Sequence, residues 1–224
     1  MQSKQPNRSA AVPELRPGIT CLAVDESRSP AFHEIALASL PAQRVSFWID
    51  SRNVANTYRL YDLAATERAL SGLRIARAFT AHQHYSLCRE LVSRVTPHTG
   101  LVCLPNLTSL YRDDDVPEYE RDILLDSVLD GLSELADTYE LPVLVSTTHD
   151  DDLAERVMDI ATETITCEVT PFGVRYDGAT VKTTLYRDGA YWQTTIPYWV
   201  DLFGAVDDGS LANTADAYDF AGVV

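Results

Sequence analysis

Two rhythms of hydrophobic and polar positions alternate along the first two-thirds of this chain. Short apolar runs that fit strands stand at 19–24, 44–50, 73–79, 100–104 and 142–146. Between them, apolar residues recur at helical spacing. Phe32, Ile35, Ala36 and Leu40 predict a helix over 31–40, with Pro30 at its first position, where a missing N–H costs nothing. Tyr58, Tyr61, Leu63, Ala64 and Leu70 predict a second over 54–70, closed by Gly72 as a C-cap. Leu87, Cys88, Leu91, Val92 and Val95 mark the buried side of a helix over 85–95. Ile123, Leu124, Val128, Leu132, Leu135 and Ala136 form the stripe of a long helix over 116–139. Five strands alternating with helices predict an α/β fold, with a mainly parallel central sheet covered on both faces.

After position 146 the rhythm changes. Short strands are predicted at 164–169, 173–176, 181–186 and 191–196, joined by turn signals such as Tyr176-Asp177-Gly178 and Arg187-Asp188-Gly189. That pattern predicts an antiparallel, hairpin-rich extension of the same sheet. Residues 1–17 are polar, carry Pro6, Pro13 and Pro17, and read as a flexible leader to a core over 18–196. The remainder, 197–224, opens with Tyr198, Trp199, Leu202 and Phe203 and ends in a Gly/Ala/Asp-rich tail that reads as mobile. The aromatic cluster has two readings: it folds back over its own domain, or it docks a protein partner, since such side chains dominate interface hot spots.

Composition narrows the function classes. The 224 residues include 33 acidic and 18 basic side chains, a formal charge of −15, and only Lys4 and Lys182 are lysines. Such a surface repels a phosphate backbone, which argues against tight nonspecific nucleic-acid binding. It also suits a cytoplasm of high ionic strength, so a halophilic archaeal source is the expectation. No apolar run approaches the roughly 20 residues that span a bilayer, and the start of the chain has no apolar segment of the signal-peptide kind. A cytoplasmic location follows as an expectation.

Candidate chemistry is sparse. Cys21, Cys88, Cys103 and Cys167 are widely spaced in apolar contexts and read as buried free thiols. His33 is expected on the first helix, partly exposed. The acidic runs Asp113-Asp114-Asp115 and Asp150-Asp151-Asp152, with His82, His84 and His149, invite a metal-site reading, because clustered carboxylates bind Mg²⁺ or Ca²⁺. Solvated loop charge is the simpler account. Asp50, Ser27 and His149 supply the residue types of a hydrolase triad, but no G-x-S-x-G elbow accompanies them. No catalytic, cofactor-binding or metal-binding residue is therefore assigned.

The order of elements and several short stretches between about 18 and 196 resemble the core domain of RecA/RadA/RadB-type recombinase ATPases and the related KaiC-like ATPases. In that family a phosphate loop G-x-x-x-x-G-K-T follows the first strand. Here those positions fall on Val24, Asp25, Glu26, Ser27, Arg28, Ser29, Pro30 and Ala31, so both glycines, the lysine and the hydroxyl residue are missing. A phosphate loop needs converging N–H groups, a lysine and a Mg²⁺-holding hydroxyl. Pro30 removes a donor, and Asp25 and Glu26 add two repulsions of roughly 1 kcal/mol each at about 4 Å in water.

Three further family positions agree. The second strand ends Ile49-Asp50-Ser51-Arg52 where the family carries a catalytic Glu. The Walker B strand runs into Pro105-Asn106 where the family carries Asp, and the sensor position after the last parallel strand is Thr147-Thr148. Ala76-Arg77-Ala78-Phe79 and His82-Gln83 are similar to the family's third strand and the loop after it. The DNA-loop positions, Arg112-Asp113-Asp114-Asp115 and His149-Asp150-Asp151-Asp152, are short and acidic. No Phe-x-x-Ala polymerisation motif occurs in 1–17.

The resemblance implies a RecA-like P-loop NTPase fold that has lost its nucleotide chemistry. It implies a non-enzymatic pseudo-ATPase paralogue of archaeal RadA/RadB proteins, without cofactors. Such a protein would act through protein contacts in DNA recombination, repair or replication, with an active recombinase or replication protein as the expected partner and a homodimer as a further option. The alternative is a metal-dependent enzyme or DNA-binding factor that reuses the fold through its acidic loops.

Overall fold

The computed structural model describes residues 12–64, 66–170, 173–183, 185–188 and 191–194. Strands β1 (Gly18–Val24), β2 (Val45–Ser51), β3 (Leu73–Ala78), β4 (Thr99–Leu104) and β5 (Pro142–Thr147) form where the apolar runs predict them. Helices α1 (Pro30–Ala38), α2 (Thr57–Leu63), α3 (Ala81–Arg94), α4 (Glu118–Tyr139) and α5 (Asp152–Asp159) lie between and after them. They are followed by β6 (Glu163–Thr170), β7 (Gly173–Gly178) and β8 (Lys182–Thr183). The eight strands make one sheet in the order β3-β2-β4-β5-β1-β6-β7-β8, while β9 (Leu185–Asp188) and β10 (Tyr191–Thr194) pair antiparallel as a separate ribbon.

Alternation along the strands builds two cores, one per face. Ile19, Cys21, Ile49, Leu104 and Val145 pack towards Leu91 of α3, Leu125 and Leu132 of α4 and Val157 of α5. Leu22, Trp48, Cys103, Leu144 and Ile165 pack towards Phe32 and Ile35 of α1 and Leu60 of α2. The expected fold class, a mainly parallel sheet with helices on both faces and an antiparallel end, is the one found. All four cysteines are buried and free. Burial pushes the Cys21 and Cys167 thiols up to about 12 and those of Cys88 and Cys103 higher still, so they are inert core residues.

Several expectations are corrected. The antiparallel part begins one strand later than predicted, because β6 runs parallel to β1, with Thr20 opposite Glu163 and Val24 opposite Cys167. The cause is α5, a crossover helix in a stretch whose acidic start resembles a loop; a parallel pair needs such a crossover. Helix 54–70 is shorter: Val54 and Ala55 are buried outside it, α2 covers Thr57–Leu63, and Tyr58 and Tyr61 are exposed. Gly72 is not a left-handed cap; a Cβ there would lie 2.4 Å from the Arg44 carbonyl oxygen, so glycine permits a close backbone approach. Ile123 is exposed, one position off the buried stripe of α4. Among the described residues, no helix is long and apolar enough to cross a membrane.

Candidate functional site

Ligands of open α/β sheets bind at the carboxyl ends of the parallel strands, so the loops after β1, β2, β4 and β5 define the place to look. The loop after β1 turns tightly: Ser29 N donates to the Glu26 carbonyl at 3.0 Å. Ser29 then caps α1, its Oγ accepting from Ala31 N at 3.3 Å, with Pro30 as the first helical residue. The helix end therefore has one donor deleted and the next occupied by its own serine. The Ser27 carbonyl accepts a 2.8 Å hydrogen bond from Asn106 Nδ2. Asn106 is 1% exposed and adopts φ 50°, a left-handed conformation that Asn tolerates better than most residues. Its backbone N donates to Ser146 Oγ at 2.9 Å, which ties β4 to β5 just past their last rung.

Asp50, at the end of β2, is fully buried. Its Oδ1 accepts from Val54 N and Ala55 N, each at 2.9 Å, and Arg77 Nε lies 3.4 Å from Oδ2. That carboxylate folds the loop after β2 through its Oδ1. Arg52, where the resembling family has its catalytic acid, takes φ 61° and turns towards the segment after β4. It donates to the Ser109 carbonyl at 2.8 Å and to Asp113 Oδ1 at 2.5 Å.

Arg112 makes the parallel closure on the other side. Its Nε and Nη2 reach Asp151 Oδ2 and Oδ1 at 2.8 and 2.5 Å, a two-pronged pair, and Nη1 donates to Thr108 Oγ1. Asp151 also caps α5 by accepting from Ala154 N at 3.0 Å. The Arg112 hydrogen bond holds its carboxyl below the usual carboxylate range, with the Ala154 amide adding to the effect. Asp113 and Asp151, read from the sequence as members of free acidic loops, are thus braces across the strand ends. Asp114, Asp115, Asp150 and Asp152 remain exposed. Thr147 is buried, and Thr148 Oγ1 lies 2.8 Å from His149 Nδ1.

The histidines separate rather than gather. His82 pairs with Glu120 at 2.8 Å, joining the starts of α3 and α4. His84 is buried against Tyr111, with Nδ1 2.8 Å from the phenol oxygen. His33 is buried rather than partly exposed, because α1 turns it inward beside Trp48. Its Nε2 lies 3.0 Å from the Val54 carbonyl, so the residue pins α1 to the loop after β2, and burial holds its pKa below the ordinary value. Among the described residues no group of three or more His, Cys, Asp or Glu side chains is placed to hold a metal. The triad types Asp50, Ser27 and His149 are not joined: Asp50 is committed to two amides, Ser27 bonds Asn106 through its carbonyl, and His149 pairs with Thr148. Tyr198, Trp199, Leu202 and Phe203 lie outside the described residues.

Sequence reasoning missed the roles of Asn106, Arg112 and Asp151. Asn106 carried a partial signal, since Asn after a strand suits a left-handed turn. The Arg112–Asp151 pair spans 39 positions, and no local pattern marks it.

No family model and no curated protein matches the sequence. Solved structures do match. One is described as the crystal structure of the RadB recombinase, with a TM-score of 0.58 and 17% identity, over 70% of this chain and 77% of that one. The likeness establishes a RecA-like fold.

Proposed function

We propose that this chain is a non-catalytic member of the RecA-like fold, a pseudo-ATPase akin to archaeal RadA/RadB proteins that acts through protein contacts in DNA recombination, repair or replication. The observation that carries this reading is the bond from Asn106 Nδ2 to the Ser27 carbonyl. A working phosphate loop turns N–H groups towards the ligand. Here the loop presents a carbonyl to Asn106, and α1 has Pro30 and a self-capped Ala31 at its start. Arg52 and Arg112 are bound to Asp113 and Asp151 rather than available to a triphosphate. The same pairing weakens the alternative of a metal or DNA site in the acidic loops, because it neutralises one carboxylate of each. The setting in recombination rests on the likeness of the fold to a RadB recombinase and on the resemblance of short stretches such as Ala76-Arg77-Ala78-Phe79. Tyr198, Trp199, Leu202 and Phe203 are the proposed contact residues for the partner, an active recombinase or replication protein.

Thermal unfolding in molar KCl tests the first half of the proposal. ATP with Mg²⁺, Mg²⁺ alone and single-stranded DNA are each expected to leave the midpoint unchanged. Ligand binding to the native state at 100 times Kd adds about 2.7 kcal/mol, which moves a midpoint by several degrees. A shift of that size with ATP overturns the proposal.

A further inference from the structure

Segment 41–94 reverses the charge of the rest of the chain. It holds eight arginines against Asp50, Asp62, Glu67 and Glu90, so it carries +4 while the remainder carries −19. Three of those arginines gather around the Ser71-Gly72 turn that leads into β3, the edge strand of the sheet. Arg74 Nη1 donates to the Ser71 carbonyl at 3.0 Å. Ser71 N and Oγ donate to the Arg68 carbonyl at 3.2 and 2.8 Å. Arg44 abuts the same turn, since a Cβ on Gly72 would lie 2.4 Å from its carbonyl oxygen. Arg44, Arg68 and Arg74 are all exposed.

Arginines elsewhere in the molecule are neutralised. Arg52, Arg94, Arg112, Arg121, Arg156 and Arg175 each stand within 4 Å of a carboxylate. Among the described residues Arg44, Arg68 and Arg74 have no such partner, in a chain of 33 acidic and 18 basic side chains. Like charges on one turn repel, and an acidic segment laid over them relieves that repulsion.

The chain itself contains such a segment. Between 205 and 224 stand Asp207, Asp208, Asp216 and Asp219, no basic side chain, and the rings of Tyr218 and Phe220. Its tether is long enough. The last described residue, Thr194, lies in the β9–β10 ribbon beside β7. From β7 to β3 is six strand spacings, about 29 Å. Residues 195–215 span up to roughly 70 Å when extended. A flexible tether of this kind gives an effective concentration on the order of millimolar, well above that of a second copy in dilute solution.

We infer that the acidic stretch 207–220 docks on the Arg44, Arg68 and Arg74 corner of its own chain. Asp216 and Asp219 pair with the guanidiniums, and the rings of Tyr218 and Phe220 stack on them. The corner lies at the amino ends of β2 and β3, away from the loops of the candidate site at the carboxyl ends.

Disulfide trapping on the full chain tests the inference. Ala69→Cys, in the exposed turn beside Arg68, is combined with Ala217→Cys, and the rate of intrachain bond formation in a glutathione redox buffer is measured at 0.1 M KCl. The four native thiols are buried and do not compete. Glu155→Cys, exposed on α5, replaces Ala69→Cys as the control. The Ala69 position is expected to trap about tenfold faster than the control, at a rate independent of protein concentration. Arg68→Glu with Arg74→Glu is expected to slow it about fivefold, as loss of exposed pairs does, and Asp216→Arg with Asp219→Arg added to that variant to restore it. Equal rates at positions 69 and 155, indifference to the arginine reversal, or no recovery on the swap each overturn the inference. A rate proportional to protein concentration also overturns it, because the contact then lies between copies. No variant touches Tyr198, Trp199, Leu202 or Phe203 and no nucleotide is present, so failure here leaves the non-catalytic reading standing.

Discussion

His84 shows how much one buried side chain decides. It sits edge-on to Tyr111 with ring centroids 5.5 Å apart, and full burial lowers its pKa from 6.5 to about 4. The folded state therefore refuses a proton that the unfolded chain accepts. The sign follows: stability from this residue is fully present above pH 6.5 and falls as the pH drops towards 4, where both states are protonated. The loss across that window is on the order of 3 kcal/mol. The His84→Gln variant is expected to be less stable at neutral pH yet to decline less between those limits. Urea titrations at several pH values check this, and parallel curves for the two proteins would exclude it. The same residue answers the metal reading, because a ring committed to Tyr111 inside the core is not a free ligand.

At the scale of elements, α5 marks the limit of what the pattern revealed. Leu153, Ala154 and Val157 are buried, yet the run starts with carboxylates and covers only Asp152–Asp159, too few turns for its periodicity to stand out beside the acidic residues before it. Its start is fixed by Asp151, which caps the helix and holds Arg112. Two substitutions separate these duties. Asp151→Asn keeps a good cap but loses the charge. Because the carboxylate is 35% exposed, that pair is screened and its loss is expected to cost under about 1 kcal/mol. Asp151→Ala removes the cap as well and is expected to cost about 1 kcal/mol more. The Asn defect has its own pH signature: the folded pKa is depressed, so the ion pair contributes above the unfolded value and fades as pH falls through the folded one. Equal losses for both variants in chemical denaturation would refute the cap. The parallel strands were legible because Ile19, Trp48, Val102 and Val143 sit in short, largely apolar runs. The braces Arg52–Asp113 and Arg112–Asp151 were not, since each pair is brought together only by the order of the strands.

For the whole molecule, net charge is the dominant property that does not depend on any one contact. With −15 on 224 residues, the compact state repels itself more than the expanded chain does. Salt acts in two opposed ways. It weakens surface pairs such as Arg94–Glu90 and Arg156–Asp122, each worth no more than about 1 kcal/mol. It also screens the general repulsion, as the Debye length shrinks from about 10 Å at 0.1 M to about 3 Å at 1 M. Repulsion involves every uncompensated carboxylate, including the exposed Asp114, Asp115, Asp150 and Asp152, so the second effect should win. The unfolding midpoint is expected to rise steadily from 0.05 to 2 M KCl, and a non-ionic osmolyte should not reproduce its low-concentration part. A midpoint that stays flat or falls with KCl would show that the pairs outweigh the repulsion, and would remove the physical case for a protein suited to high ionic strength. The same field bears on function. A surface with this excess of negative charge repels a phosphate backbone, so it gives no electrostatic gain to DNA.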